Sequence, residues 1–159
     1  MPAAPRELAV EIQAVASIYP DRRSAILPAL RMAQERHGWL PPEALREVAD
    51  ALDLTPAYCQ AVASFYDMFH LEPVGRHLVE VCTNLSCALV GAQHVVDAFE
   101  EALGIAPGET TEDGEVTFRA VECLGGCGYA PVVSIDERYR HPVAPEDAAG
   151  IVRELRAER

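Results

Sequence analysis

Two short runs, Val81-Cys82-Thr83-Asn84-Leu85-Ser86-Cys87 and Glu122-Cys123-Leu124-Gly125-Gly126-Cys127-Gly128, decide how this chain is read. They hold four of the five cysteines, with four residues inside the first pair, three inside the second and 35 between the pairs. Paired soft donors arriving from two separated turns suit a tetrahedral zinc ion or an iron–sulfur cluster, since each needs four thiolates around a small centre. Neither pair has the two-residue spacing that is commoner at zinc sites and in thioredoxin-type redox pairs. A disulfide framework fits poorly. A fifth cysteine, Cys59, is left over, and the chain is expected to carry no signal peptide, which together indicate a reducing compartment.

The flanking residues place both pairs on a backbone. His77-Leu78-Val79-Glu80-Val81 reads as a strand that runs into Cys82. Ala92, Val95, Val96, Phe99, Ala102 and Leu103 recur at helical spacing up to Gly104, and Glu115 to Val121 alternates as a second strand that runs into Glu122-Cys123. A strand–helix–strand unit makes a right-handed crossover between parallel strands, so both carboxyl ends lie on one sheet edge. Cys82 and Cys123 are then expected about 5–10 Å apart at their starting points. The glycines of Leu124-Gly125-Gly126-Cys127-Gly128 permit positive φ and let backbone amides approach sulfur. Thr83, Asn84 and Ser86 are expected to add side-chain donors, and the amino end of the helix after Cys87 to add its dipole. No Arg, Lys or His lies within either loop, which predicts a low reduction potential for an iron–sulfur centre.

After Pro131, Val132 to Ile135 reads as a third strand, Asp136-Glu137 as a turn and Arg138-Tyr139-Arg140 as a fourth strand. Pro145 opens a last helix with Ala148, Ile151, Val152 and Leu155 inward. The amino-terminal half reads as four amphipathic helices. Leu8, Ile12, Val15 and Tyr19 face inward on the first, which Pro20 ends; the second runs from about Ser24 to Gly38; the third opens at Pro42; the fourth opens at Thr55-Pro56 and continues to Phe69. On that reading Phe65, Tyr66, Met68 and Phe69 are core, His37 is a packed histidine and Cys59 a buried thiol with no local cation to activate it. His70, His77, His94 and His141 lack metal-like spacing and receive no role. The fold class is therefore α+β, with a helical lobe over 1–72 and an α/β domain over 77–159.

Net charge is −12, and all 13 basic residues are arginines. With no Arg cluster larger than Arg22-Arg23, nucleic-acid binding is excluded. Apolar runs fall short of the ~20 residues of a bilayer span, so any membrane association is expected to come through partners. There is no strand-borne Gly-x-Gly-x-x-Gly, no phosphate loop and no catalytic dyad or triad of recognisable spacing. No dinucleotide-binding site is therefore visible in these residues.

The segments Val62-Ala63-Ser64-Phe65-Tyr66, Val81 to Cys87 and Glu122 to Pro131 resemble the E-subunit family of NADH-quinone oxidoreductase, respiratory complex I. The resemblance runs nearly end to end. It implies a thioredoxin-like ferredoxin domain with one 2Fe-2S cluster, and position by position the family's ligands fall on Cys82, Cys87, Cys123 and Cys127. It also implies a larger partner subunit that binds FMN, NADH and 4Fe-4S clusters, further peripheral-arm subunits, and a cytoplasmic position beside the inner membrane. The same ferredoxin type serves NAD-linked formate dehydrogenases and NAD-reducing or bifurcating hydrogenases. A structural zinc module for protein interaction is the reading from a different class.

Overall fold

The computed structural model describes residues 5–158, which form two compact units dividing at Pro73 and Val74. The first unit is helical. Its elements are α1 (Pro5–Ala16), a 3-10 turn (Arg22–Ala25), α2 (Ile26–His37), α3 (Pro42–Leu52) and α4 (Pro56–Phe65). Local chemistry sets these boundaries. The Asp21 carboxylate accepts the Arg23 N–H at the 3-10 turn, and the Thr55 hydroxyl accepts the Tyr58 N–H ahead of Pro56. Gly38 ends α2 in the left-handed conformation, at φ 81°. Leu8, Ile12, Leu30, Leu40, Val48 and Leu52 are fully buried in this unit's core, together with Cys59.

Three expectations fail here. The first helix ends at Ala16, and Tyr19 is exposed rather than inward. The fourth helix stops at Phe65 because Tyr66 turns to an extended conformation, φ −102° and ψ 121°. Helical spacing thus no longer governs the residues beyond, and only Phe69 turns into the core, while Phe65 is 78% exposed and Met68 and Tyr66 are also on the surface. Edge-on contacts link the Phe65, Tyr66 and Phe69 rings in series, at centroid distances of 5.0 and 6.5 Å. His37 is half-buried and paired with Glu47 at 3.1 Å.

The second unit contains β1 (His77–Cys82), α5 (Leu85–Leu89), α6 (Ala92–Leu103), β2 (Val116–Val121), β3 (Val133–Ile135), β4 (Arg138–Arg140) and α7 (Ala148–Ala157). The sheet order is β2-β1-β3-β4. β1 and β2 are parallel neighbours, with Cys82 opposite Val121; β3 runs antiparallel to β1, and β4 antiparallel to β3. Val79, Val81, Val116, Phe118, Val133 and Ile135 form one buried face, against which α6 brings Val95, Val96 and Phe99 and α7 brings Ile151, Val152 and Leu155. At the far end of β1, His77 Nδ1 lies 2.7 Å from Asp136, whose other oxygen accepts the Leu78 N–H at 2.9 Å. The Ala130–Pro131 and His141–Pro142 bonds are cis.

Phe118 is fully buried and lies 5.9 Å from the Phe99 ring. Phe118→Ala is expected to lower unfolding free energy by about 3–5 kcal/mol, measured by urea denaturation; a loss under about 1 kcal/mol would mean that this ring pair does not anchor β2.

Candidate metal centre

The parallel ladder delivers both cysteine segments to one edge. Thr83 donates from its N–H and its hydroxyl to the Val121 carbonyl, at 2.9 and 3.0 Å, and so closes the strand ends together. The Cys82 N–H donates to Val132 O at 3.1 Å, which attaches the segment after Pro131 to the same edge. Glu122 follows Val121, and its carbonyl oxygen is 3.9 Å from Cys82 Sγ.

The cysteines fall into a buried and an exposed pair. Cys82 and Cys87, each 3% exposed, pack with Ala92 and Val132 under Leu124 and Ala130; Cys123 and Cys127 are exposed. Asn84 caps the short helix α5, its side-chain oxygen accepting the Leu85 N–H at 2.8 Å, and so turns Cys87 back toward Cys82. The two thiols influence each other's ionisation, and Cys127 acts on Cys87 as well. Beyond Cys123, Gly125 takes φ 76°, and its N–H donates to Cys123 Sγ at 3.3 Å. Gly126 is required for space, since a Cβ there would lie 2.9 Å from Val132 Cγ2.

Backbone amides surround these sulfurs. Burial opposes ionisation of Cys82, but N–H groups of Asn84 and Leu124 and the Cys87 thiol outweigh it and bring Cys82 below the ordinary thiol value. Burial pushes Cys87 upward despite the Val132 amide, and the neighbouring Cys82 and Cys127 sulfurs add to that effect. Cys59, in the helical unit, is also raised by burial.

One expectation about donors needs correction. The Thr83 and Asn84 side chains hold backbone groups rather than sulfur, and the donors at sulfur are main-chain amides. Of the three loop glycines, Gly125 alone has positive φ. Sequence reasoning missed α5, the Val132 amide and Tyr139, whose hydroxyl donates to the Leu124 carbonyl. None of these has a spacing signal, because each is brought in by the tertiary fold. The Tyr129 ring stacks on His141 at 4.5 Å, and Leu85, Leu89 and Val90 leave apolar surface exposed beside the cysteines.

Among the described residues no three His, Cys, Asp or Glu side chains converge on a point that one metal ion could occupy. A structural zinc ion would hold all four sulfurs at about 2.3 Å. A binuclear group asks two sulfurs of each metal, and its negative charge suits amide donors with no basic residue in either loop. The donor set fits such a group.

The family profile of thioredoxin-like 2Fe-2S ferredoxins matches residues 12–156. An NADH-quinone oxidoreductase E-subunit of Rhizobium meliloti (strain 1021) is 48% identical over 81% of this chain and 77% of its own length. The corresponding E-subunit of Mycobacterium tuberculosis (strain ATCC 25618 / H37Rv) is 44% identical over 95% of this chain, which spans only 60% of that relative. The NAD+-reducing NiFe hydrogenase, in its H2-reduced crystal structure, shares the fold with a TM-score of 0.72 at 23% identity, over 82% of this chain and 22% of the hydrogenase chain.

Cys123→Ala is expected to abolish iron binding or leave a trace of it, whereas Cys59→Ala should keep the full iron content; the reverse result in metal analysis would overturn the ligand assignment. Gly126→Ala should lower iron retention through its clash with Val132, and the double variant with Val132→Ala should recover part of it. No recovery would mean that the crowding at Val132 is not the cause.

Proposed function

The chain belongs to the thioredoxin-like 2Fe-2S ferredoxin family, and from that premise we propose that it is the electron-transfer subunit of an NADH-quinone oxidoreductase, with Cys82, Cys87, Cys123 and Cys127 as the cluster ligands. The observation that carries this reading is the convergence of both cysteine segments on the carboxyl edge of the β1–β2 pair, where main-chain amides point at their sulfurs. A 2Fe-2S group bound there accepts and returns one electron at a time. The chain's own part is to hold four thiolates, to place N–H dipoles against them and, on the buried side, to exclude water.

In this reading the α/β domain, 77–159, carries the cluster, and the helical lobe, 1–72, serves attachment. The partner is the larger flavoprotein subunit, which binds FMN, NADH and 4Fe-4S clusters, with other peripheral-arm subunits beyond it. The exposed Phe65, Tyr66 and Met68 on the lobe support attachment rather than core packing there. Among the described residues no helix is long and apolar enough to cross a membrane, so association with the cytoplasmic face of the inner membrane would be through those partners. Relatives from NADH-quinone oxidoreductases, at 44–48% identity over most of the chain, support this parent complex over a formate dehydrogenase or hydrogenase, since the hydrogenase likeness is one of fold.

Purified protein is expected to be brown, with two irons and two acid-labile sulfides per chain and a single-electron EPR signal after reduction. A colourless, EPR-silent protein with one zinc would overturn the reading. Affinity purification from the source cells should bring down an FMN-containing subunit that oxidises NADH; recovery of a hydrogenase or formate dehydrogenase catalytic subunit instead would overturn the parent complex while leaving the cluster chemistry intact.

A further inference from the structure

We propose that Tyr139 is a positioning residue for the cluster: its hydroxyl fixes the Leu124–Gly125 peptide so that the Gly125 N–H stays on Cys123 Sγ. This rests on the assignment of Cys123 as a ligand.

Tyr139 lies at the middle of the edge strand β4, opposite Ser134. Its neighbours Arg138 and Arg140 point to the other face, where Arg140 reaches Glu154 of α7 at 3.1 Å. The tyrosine is therefore directed away from the α7 side, and its O–H meets the Leu124 carbonyl fifteen residues back along the chain. The Leu124 carbonyl and the Gly125 N–H are two ends of one planar peptide group. A donor at the carbonyl end aligns that dipole and strengthens donation at the other end, where Cys123 Sγ is 3.3 Å away.

The peptide needs such a tether. Gly125 adopts φ 76°, its conformational freedom is that of a residue without Cβ, and nothing lies within 4 Å of the place a Cβ would take. Open space lies where a side chain at this position would pack.

Hydrogen bonds to cluster sulfurs favour the state with more negative charge, which is the reduced one. Tyr139→Phe keeps the ring and removes the donor. It is expected to retain two irons per chain and to move the reduction equilibrium roughly threefold to tenfold toward the oxidised form, a tenfold change being about 59 mV for one electron. Site-specific 3-fluorotyrosine at position 139, a stronger donor of nearly the same shape, should move it the opposite way. Iron content and EPR-monitored redox titration of the wild type and both variants test this. Full iron with an unmoved potential in both variants overturns the role of Tyr139 and leaves the ligand assignment standing, whereas wild-type protein without iron overturns that assignment. Should Tyr139→Phe lose its iron, the fluorotyrosine protein decides: a shift toward the reduced form is the expected result, and an unchanged potential overturns the proposal.

Discussion

The parallel ladder between β1 and β2 is the contact on which the rest of this site depends. It pairs His77 with Val116 and continues in step to Cys82 with Val121, so the residues that follow the two strands leave the sheet side by side. Register is what matters. A slip by one residue would turn Val79 and Val81 out of the core and carry Cys82 away from the Glu122 carbonyl. The slip is opposed by Val79, Val81, Val116 and Phe118, all without solvent exposure, under the apolar side of α6. Burying each such side chain contributes about 1.5–3 kcal/mol. The hydrophobic core thus sets sulfur positions that no residue at the edge could hold alone.

Charge at the sulfurs is met by the backbone. Thiolates in a buried pocket are unfavourable unless fixed dipoles compensate, and here the N–H groups of Asn84, Leu124, Val132 and Gly125 supply them. Main-chain donors have an advantage over arginine or lysine. They stabilise negative charge without adding a full positive one, so their effect changes little with salt or partner charge. The acidic surface, net −12, then sits around a site whose own electrostatics are local.

The strand–helix–strand order, the shared edge and the two cysteine pairs were all legible in the sequence, because each rests on periodicity or spacing. The face of α6 was read residue by residue, and Ala92, Val95, Val96, Phe99 and Leu103 are indeed buried. What escaped was set by tertiary context. Nothing in Asn84-Leu85-Ser86-Cys87 announces a helix of five residues, since its stability comes from the Asn84 cap and the buried cysteine rather than from propensity. The run Phe65 to Phe69 keeps an apolar pattern past the end of α4, so periodicity alone assigned it inward, whereas the turn at Tyr66 reverses that for three of its four aromatic and methionine side chains. Tyr139 sits in a three-residue edge strand, and its relation to Leu124 exists only once β3 and β4 are paired.

The two halves of the site meet negative charge by different means. Around Cys82 and Cys87 water is excluded, and stabilisation comes from amides already pointed at sulfur, which need no reorganisation when an electron arrives. Around Cys123 and Cys127 solvent still screens, and the Gly125 amide works beside it. Any charge interaction strengthens in a medium of lower dielectric, so each dipole weighs more at the buried pair than at the exposed one. The hydrogen bond from Tyr139 to the Leu124 peptide therefore acts on the exposed side of the site, where the Gly125 amide competes with solvent for Cys123 Sγ.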